Sequence, residues 1–200
     1  MKLVSVILIG YLLGSLSPSA LIGKIKKVDM RKQGTKNLGA SNTMFIFGKL
    51  YGALVMIFDI AKSFASVKIA ELILPGLPYA GILAGCASVV GHIFPFYMKF
   101  KGGKGMASYG GMILALDPLL FLILLVICLI LMLIVNYGVA MPMSAGVLFP
   151  ILYGIRHPHP ISVTAAVLVS ALIIFKHASN VGKAVRGEDV KIRDILKSKK

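Results

Sequence analysis

Six runs of fifteen to twenty-five largely apolar residues, at 3–23, 50–74, 79–98, 118–135, 139–155 and 161–175, dominate this sequence. A helix needs roughly 20 such residues to cross the ~30 Å hydrocarbon layer of a bilayer. Backbone exposed to lipid must satisfy its own hydrogen bonds, so a chain with this pattern folds as membrane helices. The side-chain balance excludes a water-facing globule: 58% of residues are hydrophobic and 14% charged, too little polar surface to cover a soluble domain. A seventh apolar piece, 106–116, has only eleven residues, enough for about half the hydrocarbon layer at ~1.5 Å per residue. The first run could be mistaken for a cleaved leader because it holds Ser17-Pro18-Ser19-Ala20. Its length and the basic stretch after it predict a retained helix.

Charge predicts the topology. Residues 24–49 carry seven basic groups against one acid, Asp29, and residues 176–200 carry eight against three. Both segments are expected on the cytoplasmic side. The chain can return to that side only after an even number of crossings, so 106–116 must cross as well. The expected fold is an all-α membrane protein of seven transmembrane helices, amino terminus outside, carboxyl terminus cytoplasmic, with a short fourth helix. It forms one integral-membrane domain over 1–200 that ends in a basic tail at 186–200. The same parity places Lys99, Lys101 and Lys104 inside, which collects eighteen of the 22 basic residues on one face. A net charge of +15 calls for anionic partners. Its concentration at a membrane edge points to membrane lipids and phosphorylated small molecules, with no nucleic acid. Cys86 and Cys128 lie in apolar runs and are expected as buried thiols without a disulfide. No cluster has metal-ligand spacing, so neither metal nor cofactor is expected.

Three cytoplasmic clusters carry chemistry. The first, RKQGTKNLGASN at 31–42, interleaves cations with glycines, hydroxyls and amides. Gly34 and Gly39 let backbone approach an anion, Thr35 and Ser41 offer hydroxyl donors, Asn37 and Asn42 add amides beside Lys36, and Arg31 suits a bidentate phosphate pair. A loop that merely touches anionic lipid needs no such glycines. The second cluster, GHIFPFYMKFKGGKG at 91–105, brings His92 and then Lys101, Gly102, Gly103, Lys104 and Gly105 to the amino end of the short helix, where orphan N–H groups favour an anion. It is not a Walker loop, because Met98 stands where that pattern needs glycine. The third cluster is His177 and Asn180, three apart at the predicted cytoplasmic end of the last span, followed by Arg186, Gly187 and Glu188. Nearness to a helix carboxyl end would favour a protonated His177, while a snorkelling polar helix end reads equally well. Inside the second span, Asp59 and Lys62 share a helix face, either as a structural pair or in a functional role.

In combination these motifs closely resemble those of the bacterial acyl-phosphate-dependent glycerol-3-phosphate acyltransferases, from the first span to about Ile192. That family carries an Arg followed by Gly-Ser-Gly-Asn-x-Gly-Ala-Thr-Asn, a Gly-His-x-x-Pro with Lys-Gly-Gly-Lys-Gly, and a His-x-x-Asn followed by Gly-x-Glu. Here they fall on Arg31 with Gly34 to Asn42, on Gly91 to Gly105, and on His177, Asn180 and Gly187. Thr35 replaces the usual serine, Lys36 a glycine, Leu38 a common proline and Ser41 a threonine, and Glu188 follows Gly187 directly. The resemblance implies transfer of a fatty acyl group from acyl phosphate to the 1-hydroxyl of glycerol 3-phosphate, in phospholipid biosynthesis at the cell inner membrane, with the active site facing the cytoplasm. It implies catalytic roles for Arg31, Thr35, Asn37, His177 and Asn180. Phosphate binding would fall to Gly34, Lys36, Gly39, Ser41, Asn42, His92 and the 101–105 loop, with Asp59, Lys62 and Glu188 in support.

The His-x4-Asp signature of other glycerolipid acyltransferases is absent: the fifth residue after His92 is Tyr97, and after His177 it is Gly182. The attacking alcohol must still lose a proton, to His177, His92, Asp59 or the phosphate of the donor itself. The last is favoured, because acyl phosphate brings a leaving group and a basic oxygen together. A small-anion transporter is the competing reading, since Asp59 and Lys62 could line a path. Against it, the outward face is almost uncharged.

Overall fold

The computed structural model describes residues 1–197, with side chains through Asp194. Among the described residues the chain is helical, apart from one isolated β-bridge between Tyr137 and Lys191. It divides into two compact units, Met1–Asp117 and Pro118–Lys200. Four stretches are long and apolar enough to cross a membrane: Lys2–Ile25, Ala80–Met98, Pro118–Val135 and Pro160–Val185. Met106–Leu116 and Ala140–Arg156 are shorter apolar helices.

The first unit contains α1 (Lys2–Ser15), α2 (Pro18–Ile25), α3 (Ala40–Phe47), α4 (Lys49–Ile73), α5 (Ala80–Ile93) and α6 (Met106–Leu116), with a single 3-10 turn at Phe96–Met98. The expected unbroken first helix is instead two. Ser17 caps α2 by accepting the Ala20 N–H at 3.3 Å, and Pro18 occupies the first turn, where its missing N–H costs nothing. Since Ala20 would otherwise bond the carbonyl four residues back, the break releases the Leu16 carbonyl from the helix ladder. A second departure is α3, which takes Ser41 and Asn42 out of the predicted loop and into a helix capped by Gly39.

Close packing of small residues holds α1 on α5. Gly10 and Gly14 share a face, and a Cβ at either would strike the backbone of Ala84 or Ser88. Hydroxyls add a second tie, Ser63 of α4 to Ser88 of α5 at 2.8 Å. Val6, Ala70, Ala80 and Ala84 form an apolar core flanked by Leu3, Leu74 and Leu77. The short α6 packs along α4, with Gly111 against the Ile60 carbonyl.

The second unit contains α7 (Pro118–Val135), α8 (Ala140–Arg156), α9 (Pro160–Val185) and α10 (Ile192–Lys197). Leu122, Val126, Ile130 and Leu133 of α7 are exposed at helical spacing, a stripe that suits hydrocarbon and not water. Gly146 lets α8 approach Ile174 of α9. The last helix runs ten residues beyond the predicted end at 175 and closes in a Schellman turn. Gly187, at φ 71°, donates its N–H to the Ala184 carbonyl at 3.0 Å, and the Glu188 N–H reaches the Lys183 carbonyl at 2.9 Å. The tail then meets the α7–α8 turn, where the Ile192 N–H bonds the Asn136 carbonyl at 3.1 Å and the Arg193 N–H bonds Asn136 Oδ1 at 2.9 Å.

Candidate active site

Asn42 organises the first loop. Its side-chain amide donates to the carbonyls of Met30 at 2.9 Å and Asn37 at 2.8 Å, and its Oδ1 accepts the Thr35 N–H at 2.7 Å. Both donors are spent on the loop's own backbone, and the side chain is buried. The expected direct contact of Asn42 with phosphate is therefore corrected: Asn42 shapes the cradle from within. Gly34, at φ 57°, lies against that same amide, and any Cβ there would meet Asn42 Oδ1. Thr43 fixes the other side of the loop by bonding Ser19 of α2 at 2.9 Å. Arg31, Thr35, Lys36 and Ser41 are exposed around this frame, with Asn37 and Gly39 half-buried.

Lys36 sits at φ 57°, the left-handed region that a side chain enters at a cost of roughly 1–2 kcal/mol. This is the position where the resemblance puts glycine. Lys36→Gly is expected to raise the apparent Tm of solubilised protein by about 2 °C, whereas Lys36→Ala gives no gain. Equal melting of the two variants would show that the left-handed backbone costs nothing here.

The second loop folds back on the end of α5. The Gly102 N–H bonds the Ile93 carbonyl at 3.0 Å, and the Gly103 N–H bonds the His92 carbonyl at 3.1 Å. These amides close α5, so the expectation that they cradle an anion is corrected. The glycines are needed for space: a Cβ on Gly102 would strike the His92 carbonyl, and one on Gly103 would strike His92 Nε2 and the Leu38 carbonyl. Gly105, at φ 89°, starts α6. Arg31 joins the two loops, its Nη2 donating to the Lys101 carbonyl at 2.5 Å and reaching the Met98 carbonyl at 3.5 Å. A cleft of about 140 Å³ opens here, lined by Ala20, Val28, Met30, Leu38 and Met98 with Asp29 and Arg31.

Beneath the second loop lies a buried charged cluster. Lys62 Nζ is 2.7 Å from Asp59 Oδ1, donates to the Leu16 carbonyl at 2.7 Å and lies 3.0 Å from His92 Nδ1. His92 Nδ1 is also 3.2 Å from Asp59 Oδ1. The sequence placed Asp59 and Lys62 on one helix face. The Leu16 carbonyl and the His92 ring are partners that it did not reveal. Ser17-Pro18 was the available signal for the first, since a serine cap before proline marks a helix start.

The remaining predicted residues belong to the second unit. His177 lies eight residues before the end of α9, which corrects its expected position at a helix carboxyl end and removes the dipole argument, because that effect fades within the last turn. Its Nδ1 instead meets the Ile173 carbonyl at 2.8 Å; a carbonyl only accepts, so Nδ1 carries the proton. Asn180 follows on the same face. Glu188 is exposed and paired with Arg186 through two bonds of 2.7 and 2.9 Å. The Arg186 hydrogen bonds hold its carboxyl below the usual range.

What the first unit assembles is an exposed cationic edge of two interlocked loops, seated on a buried ion cluster and adjoining a cleft of mixed lining, Ala20, Val28, Met30, Leu38 and Met98 beside Asp29 and Arg31. Such an edge can bind phosphate beside an apolar tail and supply positive charge to a reacting centre. A family model described as glycerol-3-phosphate acyltransferase matches residues 4–187. The glycerol-3-phosphate acyltransferase of Geobacillus kaustophilus is 34% identical over 94% of this chain and 95% of its own. That of Exiguobacterium sibiricum is 35% identical over 100% and 98%. Among solved structures, the integral membrane glycerol 3-phosphate acyltransferase PlsY in its glycerol 3-phosphate form superposes with a TM-score of 0.90, at 29% identity over 98% of this chain and 99% of that one. Its lysophosphatidic acid form superposes with a TM-score of 0.86. An all-helical membrane chain with this cationic edge and these relatives belongs to the glycerol-3-phosphate acyltransferase family.

Proposed function

We propose that this chain transfers a fatty acyl group from acyl phosphate to the 1-hydroxyl of glycerol 3-phosphate, releasing lysophosphatidate and inorganic phosphate. The carrying observation is the interlocking of the two loops by Arg31 and Lys101 over His92, a cationic edge suited to two phosphates. In the reaction the alcohol oxygen bonds the acyl carbon, the bond from that carbon to the phosphate oxygen breaks, and the hydroxyl proton leaves with the phosphate. Arg31, Thr35, Lys36, Ser41, Lys101 and Lys104 supply charge and hydrogen bonds; Gly34, Gly39, Asn42, Gly102, Gly103 and Gly105 shape the backbone that carries them. His177 and Asn180 are taken as groups that assist transfer, and Glu188 as the lock on the end of α9.

The two units act as one domain, a reading supported by relatives that match nearly the whole chain. The chain crosses the inner membrane seven times, amino terminus outside, with α6 as the short crossing and the site on the cytoplasmic side. Support comes from the positive charge bias and, within the second unit, from contact between the α7–α8 turn and the carboxyl-terminal tail, which parity puts on one side.

Purified protein in lipid, given palmitoyl phosphate and labelled glycerol 3-phosphate, is expected to form labelled lysophosphatidate. Uptake into sealed vesicles without product would establish a transporter instead. EDTA should leave the rate within twofold; abolition by EDTA would show that a metal takes part. If the donor phosphate takes the proton, His177→Ala retains measurable single-turnover transfer at saturating substrate, and complete loss there would make the imidazole the base.

A further inference from the structure

We propose that Lys62 is a positioning residue that holds His92 as the neutral Nε2–H tautomer, so that the imidazole presents a hydrogen-bond donor, not a base, to a phosphate oxygen at the second loop. The identity of that phosphate rests on the function proposed above; the tautomer rests on geometry alone.

A lysine ammonium has three N–H donors and no acceptor. Lys62 is 5% exposed, so its donors cannot turn to solvent. Three groups surround Nζ: Asp59 Oδ1 at 2.7 Å as its ion-pair partner, and the Leu16 carbonyl at 2.7 Å and His92 Nδ1 at 3.0 Å as hydrogen-bond partners. The second is available because Ser17-Pro18 breaks the first helix. The third requires a lone pair on Nδ1, which leaves the ring proton on Nε2.

The alternative places a proton on Nδ1 and aims it at Asp59 Oδ1, 3.2 Å away. That arrangement turns an N–H toward an ammonium and strips one buried donor of its acceptor. At the far side of the ring, Nε2 lies against Gly103 and has no hydrogen-bond partner among the described residues. Lys101 and Lys104 flank that point in sequence. A proton on Nε2 attracts a phosphate oxygen there, whereas a bare nitrogen repels it. The charged pair on α4 thereby sets the sign of the group that faces the loop.

Nitrogen-15 NMR of histidine-labelled protein in nanodiscs tests the tautomer directly, with the His92 signals assigned by their loss in His92→Gln. Wild type is expected to show a protonated Nε2 and a bare Nδ1. In Lys62→Met the proton should move to Nδ1, facing Asp59, and the KM of a phosphate substrate should rise at least tenfold with kcat changed less than threefold. If that variant does not fold, Asp59→Asn combined with Lys62→Met leaves no unpaired charge and should give mixed tautomers with a smaller rise in KM, about twofold, in proportion to the lost Nε2–H fraction. His92→Gln, which keeps an N–H donor, should hold KM within about fivefold, while His92→Leu should not. A bare Nε2 or an imidazolium in wild type, or a tautomer change with KM unaltered, would overturn the proposal. Failure of wild type to make lysophosphatidate would refute the proposed function and leave the tautomer reading standing.

Discussion

Asn42→Ala should cost about 3 kcal/mol, because three backbone groups of the first loop lose a buried partner at roughly 1–3 kcal/mol each, partly offset as water enters. Two bonds come from the side-chain amide and one goes to Oδ1, and together they hold Met30, Thr35 and Asn37 in place. The expected readouts are a lower Tm and rapid tryptic cleavage between Arg31 and Lys36, in protein whose spans still insert. Activity should fall about 100-fold, the order of loss that a misplacement of about 1 Å in a positioning loop brings. A residue that only touched phosphate would lose substrate affinity without opening the loop to trypsin. Cleavage unchanged from wild type would return Asn42 to the role of phosphate ligand.

Gly103→Ala is expected to lower kcat/KM about 10- to 100-fold while the protein still inserts, with a Tm lower by about 2–10 °C. One added methyl must displace either the His92 ring or the Leu38 carbonyl, and overpacking of this kind costs about 1–3 kcal/mol. His92 is held by Lys62 from behind, so the loop itself must move and carry Lys101 and Lys104 with it. Gly76→Ala is the control, because nothing lies within 4 Å of a Cβ there, and its kinetics should match wild type. If Gly103→Ala behaved like Gly76→Ala, contact between the second loop and the His92 ring would have no part in activity.

The sequence was most legible where a one-dimensional pattern carries the physics. The apolar runs at 79–98 and 118–135 correspond to α5 with its 3-10 extension and to α7, because length and apolarity alone decide whether a segment can be a membrane helix, and the run at 50–74 is helical as α4. The last run was read ten residues short because Lys176, His177, Ser179 and Asn180 end the apolar signal, although helix hydrogen bonds continue beyond it to Val185. The break after Leu16 was missed since apolarity persists across Ser17-Pro18, and hydropathy does not register a missing N–H. Asn42, Gly102 and Gly103 were identified as belonging to the cradle, yet their direct duty is toward backbone, which motif spacing cannot distinguish from duty toward a ligand.

By itself, the sequence determined that this chain is a membrane helical protein with a cationic edge, and its motifs pointed to two phosphates, because composition and local order suffice for both. Only the tertiary structure decided which polar groups are spent on the protein. Arg31 ties one loop to the other, Asn42 ties a loop to itself, and Lys62 finds its second and third partners on residues 46 and 30 positions away. Hydrogen bonds are satisfied in space, so partners far apart in the chain become apparent only once the helices pack.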